Sequence, residues 1–184
     1  MTAKRRIIVR IAISTSAVFA AVLALGAIAG VRINIASNSL PPGFYRIVPP
    51  GRGSDLLICP TGIAESVSIG RGYRPKGAGC GDGYAPLLKP ISARYGDTVT
   101  VSSAGIGING RLLSNSKQYA KDALGRPLPQ VPAGTYPVLP GTVWVISSYN
   151  RFSFDSRYFG PIRIDERVRY ANPCLLYTSR KPKA

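Results

Sequence analysis

The chain of 184 residues has no histidine at all. That absence excludes Ser-His-Asp and Cys-His catalysis and every zinc site that needs imidazole. Its three cysteines, Cys59, Cys80 and Cys174, are too few for a four-cysteine zinc site or for a cysteine-held cluster within one chain. No cofactor or metal is implied. Acidic residues are scarce, 8 against 24 Lys and Arg, and none occurs before Asp55. Proton chemistry is therefore left to Lys, Asp, Glu, Tyr or Cys. With 20 Gly and 16 Pro, the composition also points away from a helical bundle.

Hydrophobic length is concentrated in one place. Lys4, Arg5, Arg6 and Arg10 precede an uncharged run of 21 residues from Ile11 to Val31, and Arg32 follows it. Such a run reaches about 30 Å as a helix, one bilayer core. The charge bias keeps the amino terminus in the cytoplasm and exports the remainder, as in a single-pass bacterial inner-membrane protein with a periplasmic domain. Ala27-Ile28-Ala29 also fits a cleavable signal, but the run is longer than the usual signal core of ~7–15 residues. The expected organisation is a cytoplasmic tip and anchor over 1–32 and an exported domain over 33–184. Deleting 1–32 removes five positive charges and no negative one, which leaves +11 on the exported part.

That part reads as mainly β. Short β-branched runs recur between turn signals: Gly43–Val48, Asp55–Cys59, Leu87–Ile91, Thr98–Val101 and Thr142–Ile146. Asn109-Gly110 between apolar flanks predicts a hairpin over Gly107–Leu113. One or two further strands are expected within Arg157–Arg169, and one short helix near Ile63–Ile69. Residues 114–141, with five prolines, read as a surface excursion, and 178–184 as a frayed basic tail. In an oxidising compartment Cys59 and Cys80 would staple a glycine-rich segment by closing a loop of about 20 residues. Free thiols, or a pairing that uses Cys174, are the alternatives; Cys174 is expected to be unpaired and packed.

Without histidine, a serine can be activated by a neutral lysine amine. Among the lysines of the exported part, Lys89 lies inside an apolar run, Pro86-Leu87-Leu88-Lys89-Pro90-Ile91. Burial there disfavours the ammonium, whereas a lysine at a strand edge would only snorkel. The serine candidate is Ser39, in Ser39-Leu40-Pro41-Pro42-Gly43-Phe44-Tyr45, where two prolines fix φ and a glycine permits a tight turn. The bland reading of that segment is a linker. Two other patterns carry little: Gly105-Ile106-Gly107-Ile108-Asn109-Gly110 lacks a following helix, and Ser114-Asn115-Ser116-Lys117 lacks its companion motifs.

The Ser39 segment resembles the nucleophile box of the signal peptidase I family. Its Ser-x-Pro-x-Gly-x-Tyr form is similar to the conjugative-transfer, TraF-like branch. Lys89-Pro90-Ile91-Ser92-Ala93-Arg94-Tyr95-Gly96-Asp97 resembles the general-base box, and Ser153-Phe154-Asp155-Ser156-Arg157-Tyr158-Phe159-Gly160 the third box, all in family order. The resemblance implies a signal-peptidase-like β-barrel or coiled antiparallel sheets, and a serine–lysine endopeptidase. In it Ser39 attacks, Lys89 is the base, and the Ser39 N–H meets the oxyanion. Its implied partner is a pilin precursor or another exported peptide, with cyclisation of the pilin as a possible outcome. Asp155 matches an acid treated as functional in this branch. A carboxylate touching Lys89 would oppose catalysis, so Asp155 is expected to pair with Arg157 or to orient the site through hydroxyls. The triplet Asp155-Ser156-Arg157 reads equally as a structural ion pair. Pro41, Gly43 and Tyr45 are expected to shape the site and its groove. The alternative function is a non-catalytic basic scaffold, or a DNA-contacting part of a secretion channel. The scattered basic residues argue against nucleic acid as a partner.

Overall fold

The computed structural model describes residues 30–35 and 37–177, with isolated positions Ser16, Ala20, Ala21, Ala24 and Gly26. The expected anchor over Ile11–Val31 and the tail over 178–184 lie almost wholly outside the described residues. Among the described residues no helix is long and apolar enough to cross a membrane.

The described chain is antiparallel β with two short helices. In order it forms β1 (Val31–Asn34), β2 (Gly43–Val48), β3 (Asp55–Ile58), α1 (Gly62–Gly70), β4 (Leu87–Ala93), β5 (Thr98–Ser102) and β6 (Gly105–Ile108). Then follow β7 (Arg111–Leu112), β8 (Gly134–Pro137), β9 (Thr142–Val145), α2 (Ser156–Phe159), β10 (Ile162–Arg163) and β11 (Val168–Leu176). One sheet has the order β1-β2-β11-β3-β4-β9-β10, the other β7-β6-β5-β8. Both are open, and among the described residues no barrel closes, which corrects the barrel form of the expectation.

The turn chemistry explains the local agreement. Asn109 (φ 50°) and Gly110 (φ 80°) take the two left-handed positions between β6 and β7, as an Asn-Gly hairpin requires. The glycine-rich decoy motif is thus a strand and its turn. β1 and β11 escaped prediction for a shared reason. β1 takes in Val31 and Arg32, residues assigned to the anchor and its flank, because its partner β2 supplies the ladder. β11 runs between β2 and β3, and it tolerates Pro173 because the register shifts there. Both are specified by partners distant in sequence. Within the proline-rich excursion, Gly134–Pro137 pairs with β5 as β8.

Three apolar clusters hold the sheets. Val99, Val101, Ile106 and Val138 pack with Trp144 and Ile146 beside the smaller sheet. Leu56, Ile58, Leu87, Val143, Val145 and Tyr170 form a second cluster on the larger one. The third matters most for the site: Leu40, from the turn after β1, packs on Tyr45, Leu88 and Ala171. In a flat sheet β2 and β4 would stand about 14 Å apart, with β11 and β3 between them. Leu40 draws the 37–42 turn back over the sheet face and onto β4.

The glycine-rich segment between α1 and β4 has few apolar anchors, and covalent and ionic staples replace them. Cys59 is bonded to Cys80. Buried Arg74 forks onto Asp82 (2.6 and 3.0 Å) and donates to Ala85 O (2.8 Å). Cys174 is unpaired as expected, but exposed instead of packed, because β11 turns that side chain outward. A disulfide closing about 20 residues stabilises by roughly 3 kcal/mol in the chain-entropy account. Cys59→Ala/Cys80→Ala should therefore unfold at clearly lower urea concentration than the oxidised protein. An unchanged midpoint would mean that the Arg74 fork alone holds this segment.

Candidate active site

Ser39 lies in the turn that connects β1 to β2. Buried Asn34, at the end of β1, organises that turn. Its Nδ2 donates to the carbonyls of Leu40 (3.2 Å) and Pro41 (3.0 Å), and its Oδ1 accepts from the Ser37 N–H (3.0 Å). The Tyr45 hydroxyl also donates to Pro41 O (2.7 Å). Pro41 thus serves through its carbonyl as well as its ring. Tyr45 is fully buried and lines the inner wall of the cleft. Gly43 is a packing residue outside the cleft: a Cβ there would meet Leu175 O at 2.3 Å, so only glycine lets β2 cross β11 this closely. The Ser39 N–H points to Ser37 Oγ (3.3 Å).

Lys89 extends from the middle of β4 to the same point. Its Nζ lies 2.5 Å from Ser39 Oγ and 3.1 Å from Ser153 Oγ, and the two hydroxyls are 3.0 Å apart. All three side chains are buried. Among the described residues the hydrogen-bond partners of the amine are hydroxyls. Burial pushes the Lys89 amine down from the ordinary 10.5 to about 8, with Asp155 acting upward and Arg157 downward. Desolvation outweighs the carboxylate because that carboxylate is committed elsewhere.

Asp155 caps α2 and grips Arg157. The guanidinium donates to it through Nε (2.7 Å) and Nη2 (2.9 Å), and both side chains are wholly buried. Arg157 also donates to the carbonyls of Asn115 (2.8 Å) and Ser147 (2.8 Å). The expected pairing of Asp155 with Arg157 is present, and none of the hydrogen bonds of Asp155 goes to Ser39 or Lys89.

Four residues at this site were not singled out from sequence: Asn34, Ser37, Ser147 and Ser153. Ser153 opens the third sequence box and was visible there as a position, without its contact to the amine. Asn34, Ser37 and Ser147 are ordinary residue types whose partners only the fold reveals.

The three side chains open onto a cleft of about 600 Å³. Leu57, Pro86, Leu88, Tyr119, Leu128 and Phe154 are among its apolar lining. Asp122 lines it too. Burial pushes its carboxyl up, but hydrogen bonds from Tyr73 and Arg126 prevail and keep it well below the usual carboxylate range. A serine hydroxyl against a desolvated amine, opening onto a cleft of this size, suits acyl transfer.

The family profile described as "Signal peptidase, peptidase S26" matches residues 4–172. The chain belongs to the signal peptidase family. Its similarity extends to conjugation proteins over most of their length. It is 38% identical to a plasmid transfer protein TraF of Escherichia coli over 180 residues, 94% of this chain and 99% of that one. A second Escherichia coli plasmid transfer protein TraF is 34% identical over 163 residues, 86% and 91% of the two chains. The conjugal transfer protein TraF of Agrobacterium fabrum is 31% identical over 179 residues, 94% and 98%. All three sequence boxes of this signal peptidase relative fall within the matched span.

A lysine held at about 8 when folded, against 10.5 when unfolded, has a definite signature. The unfolded chain binds the extra proton between those two values, so stability rises with pH across that window and is flat below it. Relative to Lys89→Met, the wild-type protein should gain about 3 kcal/mol of unfolding free energy between pH 7 and pH 11. Paired urea titrations across that range would measure it. A constant difference between the two proteins would mean that the amine is not desolvated.

Proposed function

We propose that the protein is a serine endopeptidase with Ser39 as nucleophile and Lys89 as general base. One observation carries the reading: the buried Lys89 Nζ stands 2.5 Å from Ser39 Oγ in the wall of a peptide-sized cleft. In the reaction Lys89, neutral, takes the Ser39 proton as Oγ attacks a peptide carbonyl. The Ser39 N–H and the adjacent Ser37 hydroxyl meet the oxyanion. The protonated amine then gives its proton to the leaving nitrogen, and the acyl-enzyme remains. Water attacks next, its proton passes to Lys89, and Lys89 returns that proton to Ser39 Oγ as the acyl C–O bond breaks. An amine from the same substrate can replace water, which closes a peptide ring. Ser153 holds the Lys89 amine in line with Oγ throughout.

The names of the relatives support a role in conjugation, and the substrate in this reading is a pilin precursor or another exported protein. The basic flank and apolar run of residues 4–31 anchor the chain in the bacterial inner membrane, with the catalytic domain in the periplasm. The disulfide suits that oxidising compartment.

In cells, Ser39→Ala, Lys89→Ala and Lys89→Arg should each reduce precursor cleavage by on the order of 10³-fold or more while the variant protein accumulates normally. Arginine fails because a guanidinium does not give up its proton. Cleavage by the wild-type protein should rise with pH through a midpoint near 8, where the amine becomes neutral. Normal processing by any of the three variants contradicts the reading. Salt-dependent DNA binding without proteolysis would favour the scaffold alternative.

A further inference from the structure

Asp155 and Arg157 are the most deeply buried charges near the site, yet neither hydrogen-bonds to Ser39 or Lys89. One residue lies between. The Ser147 N–H donates to Asp155 Oδ2 (2.9 Å), and the Ser147 carbonyl accepts from Arg157 Nη2 (2.8 Å). Its hydroxyl then donates to the Ser39 carbonyl oxygen (2.5 Å). That hydroxyl also accepts from the N–H groups of Tyr149 and Asn150 (3.2 Å each), so its donor hydrogen is left for Ser39. Ser147 is completely buried and just past β9, 108 residues from Ser39.

We propose that Ser147 is a positioning residue: it transmits the fixed geometry of the Asp155–Arg157 pair to the backbone of Ser39 and so sets where the nucleophile and its N–H stand. This inference rests on the peptidase reading above. The ion pair grips the main chain of Ser147 on both sides, and Ser147 has one rotatable bond left, which is locked by two N–H donors. Ser39 carries its reactive groups within one residue: the N–H and the Oγ flank the carbonyl that Ser147 holds. Lys89 reaches the same hydroxyl independently, from β4. Loss of the Ser147 hydroxyl therefore loosens the nucleophile and leaves the base where it was. The account also gives Asp155 a function without contact with the amine.

The test uses the full chain in detergent and a quenched-fluorescence peptide selected on the wild-type protein from a random library. Ser147→Ala should lower kcat by about 10- to 100-fold with KM nearly unchanged, since small misplacements of reacting groups cost this much. The pH midpoint of kcat should stay at the wild-type value, because Lys89 is untouched. Ser147→Thr, which keeps the hydroxyl, should recover most of the loss. Should Ser147→Ala fail to fold, Ser147→Cys fills the same volume with a poor donor and must show the same loss in kcat. A kcat within threefold of wild type for the folded Ala or Cys variant overturns the proposal. So does a shifted pH midpoint, which would route the effect through Lys89. Ser39→Ala is the control that separates the two readings: if it cleaves the peptide like wild type, the peptidase reading fails first.

Discussion

The contact between a buried amine and a serine hydroxyl constrains this structure more than any other feature. At the ordinary lysine value only ~0.1% of the amine is neutral at pH 7.5, whereas at about 8 roughly a quarter is. That change, some two hundredfold in the neutral form, comes chiefly from desolvation, with Asp155 acting against it and Arg157 with it. It has a cost, because below pH 8 the fold holds a cation in an apolar wall. The apolar residues around it, Leu40, Leu88 and Tyr45, are therefore both core and the environment of the amine.

Desolvation works only if acids are kept away from the amine. The nearby carboxylate, Asp155, is neutralised by a guanidinium with two hydrogen bonds and by the Ser147 N–H. The pair then acts on the amine as opposed charges whose effects counter one another. Through Ser147 the same pair is linked to the carbonyl of Ser39 in the turn after β1. A scarcity of acids along the whole chain fits this requirement, since it leaves few groups to hold a proton on the amine.

How much of this was legible in the sequence follows from the range of each interaction. Strands bounded by local turn chemistry, such as Thr98–Ser102 and the Asn109-Gly110 hairpin, could be read directly. The Cys59–Cys80 bridge was readable because it staples a glycine-rich segment with few apolar anchors, and Ser39, Lys89 and Asp155 stood out only through the order of three motifs, each weak alone. What stayed hidden depends on distant partners. β11 carries a proline and an arginine, and it becomes a central strand only between β2 and β3. Asn34 and Ser147 are a plain Asn and Ser until the fold puts the carbonyls of Pro41 and Ser39 beside them. Tyr45 and Gly43 were recognised as important, but the structure gives Gly43 a packing role against β11.

The central claim is that Lys89 is held near neutrality by its surroundings, and it can be read without any substrate. With lysine labelled at 13Cε, NMR titration of the Ser39→Ala variant would follow the Lys89 amine directly. The account predicts a midpoint near 8, well below the ordinary lysine value of 10.5. A Lys89 resonance that titrates near that ordinary value would contradict it.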